Sequence, residues 1–180
     1  MSEQIKYTIP FPLAVAITVA ISLPFGMLLG NYNLPLWVSF IAWAEYFVFG
    51  AKPEALKKIF IGFPFGGLLG GLFWIALSIG LASVFNAPFI IHVAIGNFVF
   101  VTLLVYTIQK SKFLTESTLA AFNGLSMFLG VLFTGSYPKV TTDPYLNLLI
   151  AWLWASIAGI FGGILGWLNV ILTFPRKVKS

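Results

Sequence analysis

The chain has 180 residues, of which 59% are hydrophobic and only 8% are charged, and its mean hydropathy is +0.99. Ordinary soluble domains carry roughly 25% charged residues, so this composition excludes an ordinary soluble domain and predicts an integral membrane protein. The formal net charge is +5. The chain has no cysteine, which excludes a disulfide framework, a thiolate metal site and a cysteine nucleophile.

Apolar runs of about 20 residues, separated by short polar breaks, follow one another along the whole chain. Each is long enough to cross about 30 Å of hydrocarbon at 1.5 Å per residue. We therefore predict an all-α fold, a single membrane domain over residues 1–180 with six transmembrane helices. The predicted spans are residues 11–29, 34–50, 56–85, 88–108, 113–135 and 145–174.

The basic residues are distributed unevenly between the two sides that these spans define. If the N-terminus is cytoplasmic, only Lys139 lies outside, and nine basic residues lie inside. This bias predicts cytoplasmic N- and C-termini. Topology and anionic lipid headgroups account for the positive charge, so the expected partner is the lipid bilayer and not nucleic acid. The nine are Lys6, Lys52, Lys57, Lys58, Lys110, Lys112, Arg176, Lys177 and Lys179.

Two stretches of the chain resemble each other. The segment GGLLGGLFW at residues 66–74 is echoed by AGIFGGILGW at 158–167 with an offset of 92, and FIA at 40–42 faces FNG at 122–124 with an offset of 82. Each half then holds three spans, repeat 1 over about 11–85 and repeat 2 over about 88–174. An odd number of spans inserts the two halves oppositely, as in many transporters and channels. Because Gly, Leu and Phe are common in this chain, chance similarity would also produce part of this match.

The order of the spans also resembles a known family. The features are the WAEYF stretch at residues 43–47 before a lysine-bearing turn, the glycine-rich third span and the recurring FNG segment. In these features the chain resembles small bacterial inner-membrane proteins classified as domain of unknown function 1097, over roughly residues 12–172. The resemblance implies a multi-pass inner-membrane protein and supplies neither a substrate nor a functional residue.

Glycines recur at helical spacing in the third and sixth spans. Small residues four apart let another helix backbone come close, so tight helix packing is one interpretation. The other is a binding site between interrupted helices, because Pro64 predicts a break around 62–64. The sixth span has Ser156 at the corresponding place, so we favour a kinked or tilted helix pair. The packing glycines are Gly62, Gly66, Gly67, Gly70, Gly71, Gly159, Gly162, Gly163 and Gly166.

Few polar side chains lie inside the predicted spans. Glu45 is the only acid there, and a carboxyl group at membrane depth must be protonated, paired or hydrated. Because it lies five residues before Gly50, it could also extend to the cytoplasmic interface instead of forming a pore or proton site. His92, the sole histidine, is either an interfacial group or a pH-dependent gate.

Asparagine and serine complete the set of candidate pathway residues. Asn97 and Asn123 lie about ten residues into their spans, so we expect both near the middle of the membrane. There an amide needs a partner on another helix or contact with water. Asn97, Asn123 and Ser126, with Asn169 in the last span, could therefore form structural hydrogen bonds or line the path of an uncharged solute.

Catalysis is not expected, because one histidine and one buried acid cannot assemble a metal cluster, a catalytic triad or a carboxylate pair. No cofactor or metal is predicted. We expect a small channel or transporter for a neutral or weakly charged solute, with its path between the repeats, and a homo-oligomer. The alternative is a non-conducting accessory or structural subunit that packs against a larger membrane protein partner.

Overall fold

Prolines mark the start of most helices in the computed structural model, which describes residues 9–173. The fixed φ of proline suits the first helical turn, where its missing N–H would have no helical partner. Within residues 9–173 no strand forms, and the predicted all-α fold is confirmed. The helices are α1 (Phe11–Met27), α2 (Leu36–Val48), α3 (Pro53–Val84), α4 (Phe89–Gln109), α5 (Lys112–Glu116), α6 (Thr118–Thr134) and α7 (Pro144–Thr173).

The lengths of these helices identify a helical membrane protein. Helices α3, α4 and α7 have 32, 21 and 30 residues and are apolar enough to cross a bilayer. Helices α1 and α6 are apolar helices of 17 residues each. Helix α2 has 13 residues, about 20 Å, and is shorter than the predicted span 34–50. Each predicted span nevertheless overlaps one of these helices over most of its length.

Some of the predicted features lie outside the described residues. These are the end of the sixth span at Phe174 and four of the basic residues assigned to the cytoplasmic side, namely Lys6, Arg176, Lys177 and Lys179.

Glycines end α2 and α6 in the same way. Gly50 (φ +94°) and Gly135 (φ +66°) have left-handed backbones that favour glycine. In each case the next residue, Ala51 or Ser136, donates its N–H back to a carbonyl five residues earlier at 3.0 Å. This Schellman motif stops each helix abruptly, and it explains why α2 is shorter than the run of apolar residues around it.

The predicted break at Pro64 is wrong in position. The helix continues through Pro64 to Gly66, and the distortion follows as a π turn over Gly67–Leu72. Helices within membrane proteins tolerate proline where neighbouring groups satisfy the disturbed backbone. Proline has no N–H to donate to the carbonyl four residues earlier, while its own carbonyl accepts a 2.8 Å hydrogen bond from the indole Nε1 of Trp152 on α7. Helix α3 is therefore one long distorted helix and not two separated segments.

The two long helices α3 and α7 pack against each other at the centre of the bundle. Helix α2 packs mainly on α7, and α6 packs mainly on α3. Helix α4 packs against the π turn and the second half of α3, and α1 packs against α7. The largest fully buried apolar side chains, including Tyr46, Phe63 and Phe128, fill the spaces between these central helices.

All nine predicted packing glycines are buried at these helix contacts. A Cβ atom built on Gly62 would lie 2.9 Å from the Ala120 Cβ, and one on Gly70 would lie 2.8 Å from Leu104. Gly66 and Gly162 directly face the backbone of another helix. Because lipid tails provide no hydrophobic drive between helices, such close packing is a main source of attraction between them.

Candidate functional site

The contact between α2 and α6 holds two of the predicted pathway residues together. The side-chain Nδ2 of Asn123 on α6 donates a hydrogen bond of 2.6 Å to the Oε1 of Glu45 on α2. Glu45 is 2% exposed, so its carboxyl group lies inside the bundle and faces the neighbouring helix. Its Oε2 has no hydrogen-bond partner among residues 9–173. This carboxyl group can therefore accept one further hydrogen bond.

The pair lies towards one end of the bundle. Glu45 is three residues before the end of α2 at Val48, about 5 Å, and Asn123 is five residues after the start of α6 at Thr118, about 8 Å. Asn123 is nearer the helix end than expected, because the separate short helix α5 precedes α6.

This end of the bundle carries most of the charged residues that the structure describes. The Nζ of Lys58 lies 3.3 Å from the Oε2 of Glu116, and this ion pair joins the start of α3 to α5. We call it the lysine-rich end, defined by the connections from α2 to α3 and from α4 to α6. Its basic residues are Lys52, Lys57, Lys58, Lys110 and Lys112.

Helix α2 carries other buried polar atoms besides the Glu45 carboxyl group. Ser39 Oγ, Trp43 Nε1 and the Tyr46 hydroxyl have no hydrogen-bond partner among the described residues. The Tyr46 ring packs against Gly166 on α7, where a Cβ would lie 2.8 Å from it. Buried polar groups without partners are costly, so helix α2 presents several groups that a small hydrogen-bonding molecule would stabilise.

Helix α7 carries a similar pair one turn farther along. Asn169 and Thr173 are fully buried, and neither the Asn169 amide nor the Thr173 hydroxyl has a partner within residues 9–173. They follow Gly166 at three and seven residues, so they share its face of the helix. Unsatisfied donors and acceptors are therefore present on both of the packed helices α2 and α7.

The opposite end of the α2–α6 contact opens into a cleft of about 300 Å³. The cleft, here called the outer cleft, lies between the connection from α1 to α2 and the connection from α6 to α7. It combines amide, hydroxyl and ammonium groups suited to a polar solute. Its lining includes Asn31, Asn33, Ser136, Tyr137 and Lys139.

Between the outer cleft and Glu45, α2 and α6 meet through an aromatic ring, that of Trp37, which is 39% exposed. The Trp37 side chain packs against Gly130 of α6, where a Cβ would lie 2.6 Å from its Cη2. Gly130 is seven residues, about 10 Å, from Asn123 along α6. An apolar contact thus lies between the polar cleft and the polar pair along α6.

The other candidate pathway residues lie apart from this pair. His92 on α4 is buried, with neither ring nitrogen bonded among the described residues, and its carbonyl accepts a 3.3 Å hydrogen bond from Ser78 of α3. Asn97 is exposed on the same helix. Ser126 is exposed on α6 and donates to its own helix, to the Phe122 carbonyl at 3.0 Å. The structure therefore brings together Glu45 and Asn123 only.

Three aromatic residues of α2 described above were not among the predicted pathway residues. Trp37, Trp43 and Tyr46 appear in the sequence as ordinary aromatic residues of an apolar span. The spacing of Trp43 and Tyr46 from Glu45 offered no signal, because residues one or two apart on a helix lie on different faces. Within the described part of the chain, no group of three His, Asp or Glu side chains could hold a metal ion.

One family matches the chain. The sequence model of the family described as "Protein of unknown function (DUF1097)" matches residues 12–173, and the predicted resemblance is confirmed. No curated protein matches the chain. No solved structure matches it either.

Proposed function

The chain belongs to the DUF1097 family, whose description states no activity, and from the geometry of its site we propose that it is a channel or transporter for a small neutral or weakly charged solute. The proposed path follows the α2–α6 contact. It runs from the outer cleft, past Trp37 and Gly130, to Glu45 and Asn123.

The hydrogen bond between Glu45 and Asn123 is the observation that carries this proposal. It joins the two halves of the chain across 78 residues of sequence. It also leaves one carboxyl oxygen without a partner among the described residues. An amide and a carboxyl group together offer both donors and acceptors, which suits a small uncharged solute that must bind without being held tightly.

The apolar contact of Trp37 with Gly130 accounts for a closed state. Apolar constrictions exclude water and gate many pores without any charged group. A small rotation of α2 against α6 would move the indole ring away from the glycine and join the outer cleft to the polar pair. The described arrangement is then the closed form of the path.

Reciprocal glycine contacts support the arrangement as two inverted three-helix repeats. Gly66 on α3 faces the backbone carbonyl of Ala121 on α6, and Gly162 on α7 faces that of Ser39 on α2. Ser39 and Ala121 differ by 82, the offset that relates the two halves in this region. These contacts make Gly162 the counterpart of Gly66. The offset between the two glycines is about one helical turn larger than the offset of 92 suggested by sequence similarity.

A second pair of contacts supports the same relation and explains the π turn. Gly71 packs against the Phe128 ring and Gly166 against the Tyr46 ring, and the two aromatic residues again differ by 82. The glycines of α3 that make these contacts are five residues apart, whereas those of α7 are four apart. A π turn closes its hydrogen bonds five residues apart, so it accommodates the extra residue and keeps both glycines on one face.

The membrane orientation in this proposal follows from charge. The lysine-rich end would face the cytoplasm of a bacterial inner membrane, with both termini on that side, and the outer cleft with Lys139 would face outward. All six predicted spans would cross the bilayer, with the short α2 completed by the residues that flank it. Glu45 and Asn123 would then lie in the cytoplasmic half of the path.

Solute flux into liposomes tests the proposal directly. Purified protein in liposomes should accelerate the light-scattering change that follows an osmotic gradient of at least one small neutral solute. Asn123→Leu should slow this change several-fold, because it leaves a buried carboxyl oxygen unpaired at a cost of about 1 to 3 kcal/mol. Glu45→Gln keeps the shape of the side chain and should alter the pH dependence of the flux.

Asn97→Leu is the matched control, since it makes the same substitution on the outer surface of α4. It should leave the flux per protein chain unchanged. Equal flux through Asn123→Leu and wild type would contradict the proposed path. If no solute of a broad panel passes and a membrane protein copurifies at fixed stoichiometry, the accessory-subunit function would replace the transport function.

A further inference from the structure

Helix α4 places a polar amide on its exposed surface. Asn97 is exposed and is the ninth of the 21 residues of α4. It lies about 12 Å from the start of the helix and about 18 Å from its end, so it is only about 3 Å from the centre of the span. The amide is thus at the level where the bilayer contains no water.

The Asn97 amide is unsatisfied within the described part of the chain. By contrast, the hydroxyl group of Thr107, on the same helix, donates a hydrogen bond to the Leu103 carbonyl of α4 itself. A hydroxyl group can satisfy itself in this way, whereas a primary amide presents two donors and an acceptor. In hydrocarbon this amide needs a partner from another helix.

The surroundings of Asn97 determine what kind of partner fits. Ile90 and Phe98 are 69% and 75% exposed, and Ala94 is also exposed. At spacings of three, four and seven residues, Ile90, Ala94 and Asn97 form one stripe along the helix, with Phe98 beside it. A matching partner must be apolar along this stripe and must offer a donor and an acceptor at the depth of Asn97.

We infer that this stripe is the contact between two copies of the chain, with Asn97 of one copy hydrogen-bonded to Asn97 of the other. Two copies related by an axis along the membrane normal present the same residue at the same depth. An amide is complementary to itself, and the small Ala94 lets the helices approach closely. This assignment specifies the face of the expected homo-oligomer, and it does not require that the chain transport a solute.

Self-association in liposomes tests this inference. Donor- and acceptor-labelled full-length chains should show energy transfer that rises with the protein-to-lipid ratio. Asn97→Leu should weaken the association constant about threefold to thirtyfold, the factor for one or two interhelical hydrogen bonds. Asn97→Gln, which keeps the amide, should retain most of the association. Thr102→Val, which removes a polar group elsewhere on α4, should leave the association unchanged.

Disulfide crosslinking locates the contact, because the chain has no cysteine of its own. Ala94→Cys should form crosslinked dimers on oxidation in membranes. Ile157→Cys is the control, since Ile157 is 43% exposed near the middle of α7, and it should not crosslink. Unchanged association of Asn97→Leu, or crosslinking of Ile157→Cys as fast as Ala94→Cys, would overturn the inference.

The outcome is separable from that of the proposed transport. Flux per chain in Asn97→Leu remains that of wild type if each copy holds its own path. Loss of association with intact flux would support both conclusions. Loss of flux in Asn123→Leu with intact association would support the transport path and would show that the contact between copies does not depend on it.

Discussion

Adding a single methyl group to α3 tests how closely its backbone approaches α6. In Gly66→Ala the new Cβ would lie 2.7 Å from the Ala121 Cα and closer still to the Ala121 carbonyl. Because the obstacle is backbone and not a flexible side chain, the two helices would have to move apart. Gly80→Ala makes the same substitution on the same helix, but there the nearest atom is the Tyr145 hydroxyl at 3.8 Å.

The two variants should change stability in opposite directions. Within a helix, alanine in place of glycine gains roughly 0.5 to 1 kcal/mol where space is available, as at Gly80. Forcing extra volume into a packed interface costs about 1 to 3 kcal/mol, and this cost outweighs the gain at Gly66. The gain is common to both variants, so we expect Gly66→Ala to be less stable than Gly80→Ala by about 1 to 3 kcal/mol.

Unfolding of the purified protein in mixed micelles, as the mole fraction of sodium dodecyl sulfate increases, measures this difference. Circular dichroism at a helical wavelength reports the midpoint for wild type and both variants. Gly162→Ala, which would bring a Cβ against the backbone of Ser39, should shift the midpoint in the same direction as Gly66→Ala. Identical midpoints for Gly66→Ala and Gly80→Ala would refute the assignment of α3 and α6 as backbones in direct contact.

Three further predictions follow from individual side chains. Trp37→Ala should raise solute flux into liposomes, because it removes the ring that closes the α2–α6 contact, and unchanged flux would locate the constriction elsewhere. Trp152→Phe loses the hydrogen bond to the Pro64 carbonyl and should lower the free energy of unfolding by about 1 kcal/mol. Glu116→Gln breaks the exposed ion pair with Lys58. Its effect on unfolding should be below about 1 kcal/mol and should fade in 1 M salt, whereas a larger effect that persists in salt would indicate another role for Glu116.

Helix positions follow closely from local sequence. Prolines at or before the first helical residue, glycine caps at the ends of α2 and α6, and apolar runs of suitable length place every helix except the short α5 within about five residues of its observed bounds. These signals act over one or two turns of chain. The principal error is the break predicted at Pro64. The helix continues through this residue, whose carbonyl is bonded by Trp152, 88 positions away, and the distortion lies in the following turn.

The functional candidates divide along the same line. Sequence composition identified Glu45, Asn123, Asn97 and His92 because polar groups are rare in these spans and costly in hydrocarbon. It could not determine that Glu45 and Asn123 share a hydrogen bond, or that Asn97 lies on an outer surface. Those relations depend on which faces of α2, α4 and α6 point inward.

The sequence by itself thus determined a helical membrane protein, the bounds of its helices, its family and the short set of polar residues worth testing. Its pattern of charges and glycines is local or additive along the chain, so it can be recognised without coordinates. Only the tertiary structure decided which residues meet, since partners such as Glu45 and Asn123 are brought together by helix packing across 78 residues of sequence. The same packing accounts for the π turn of α3. Its contact glycines, Gly66 and Gly71, are five residues apart, and the π turn lets both of them face their neighbours.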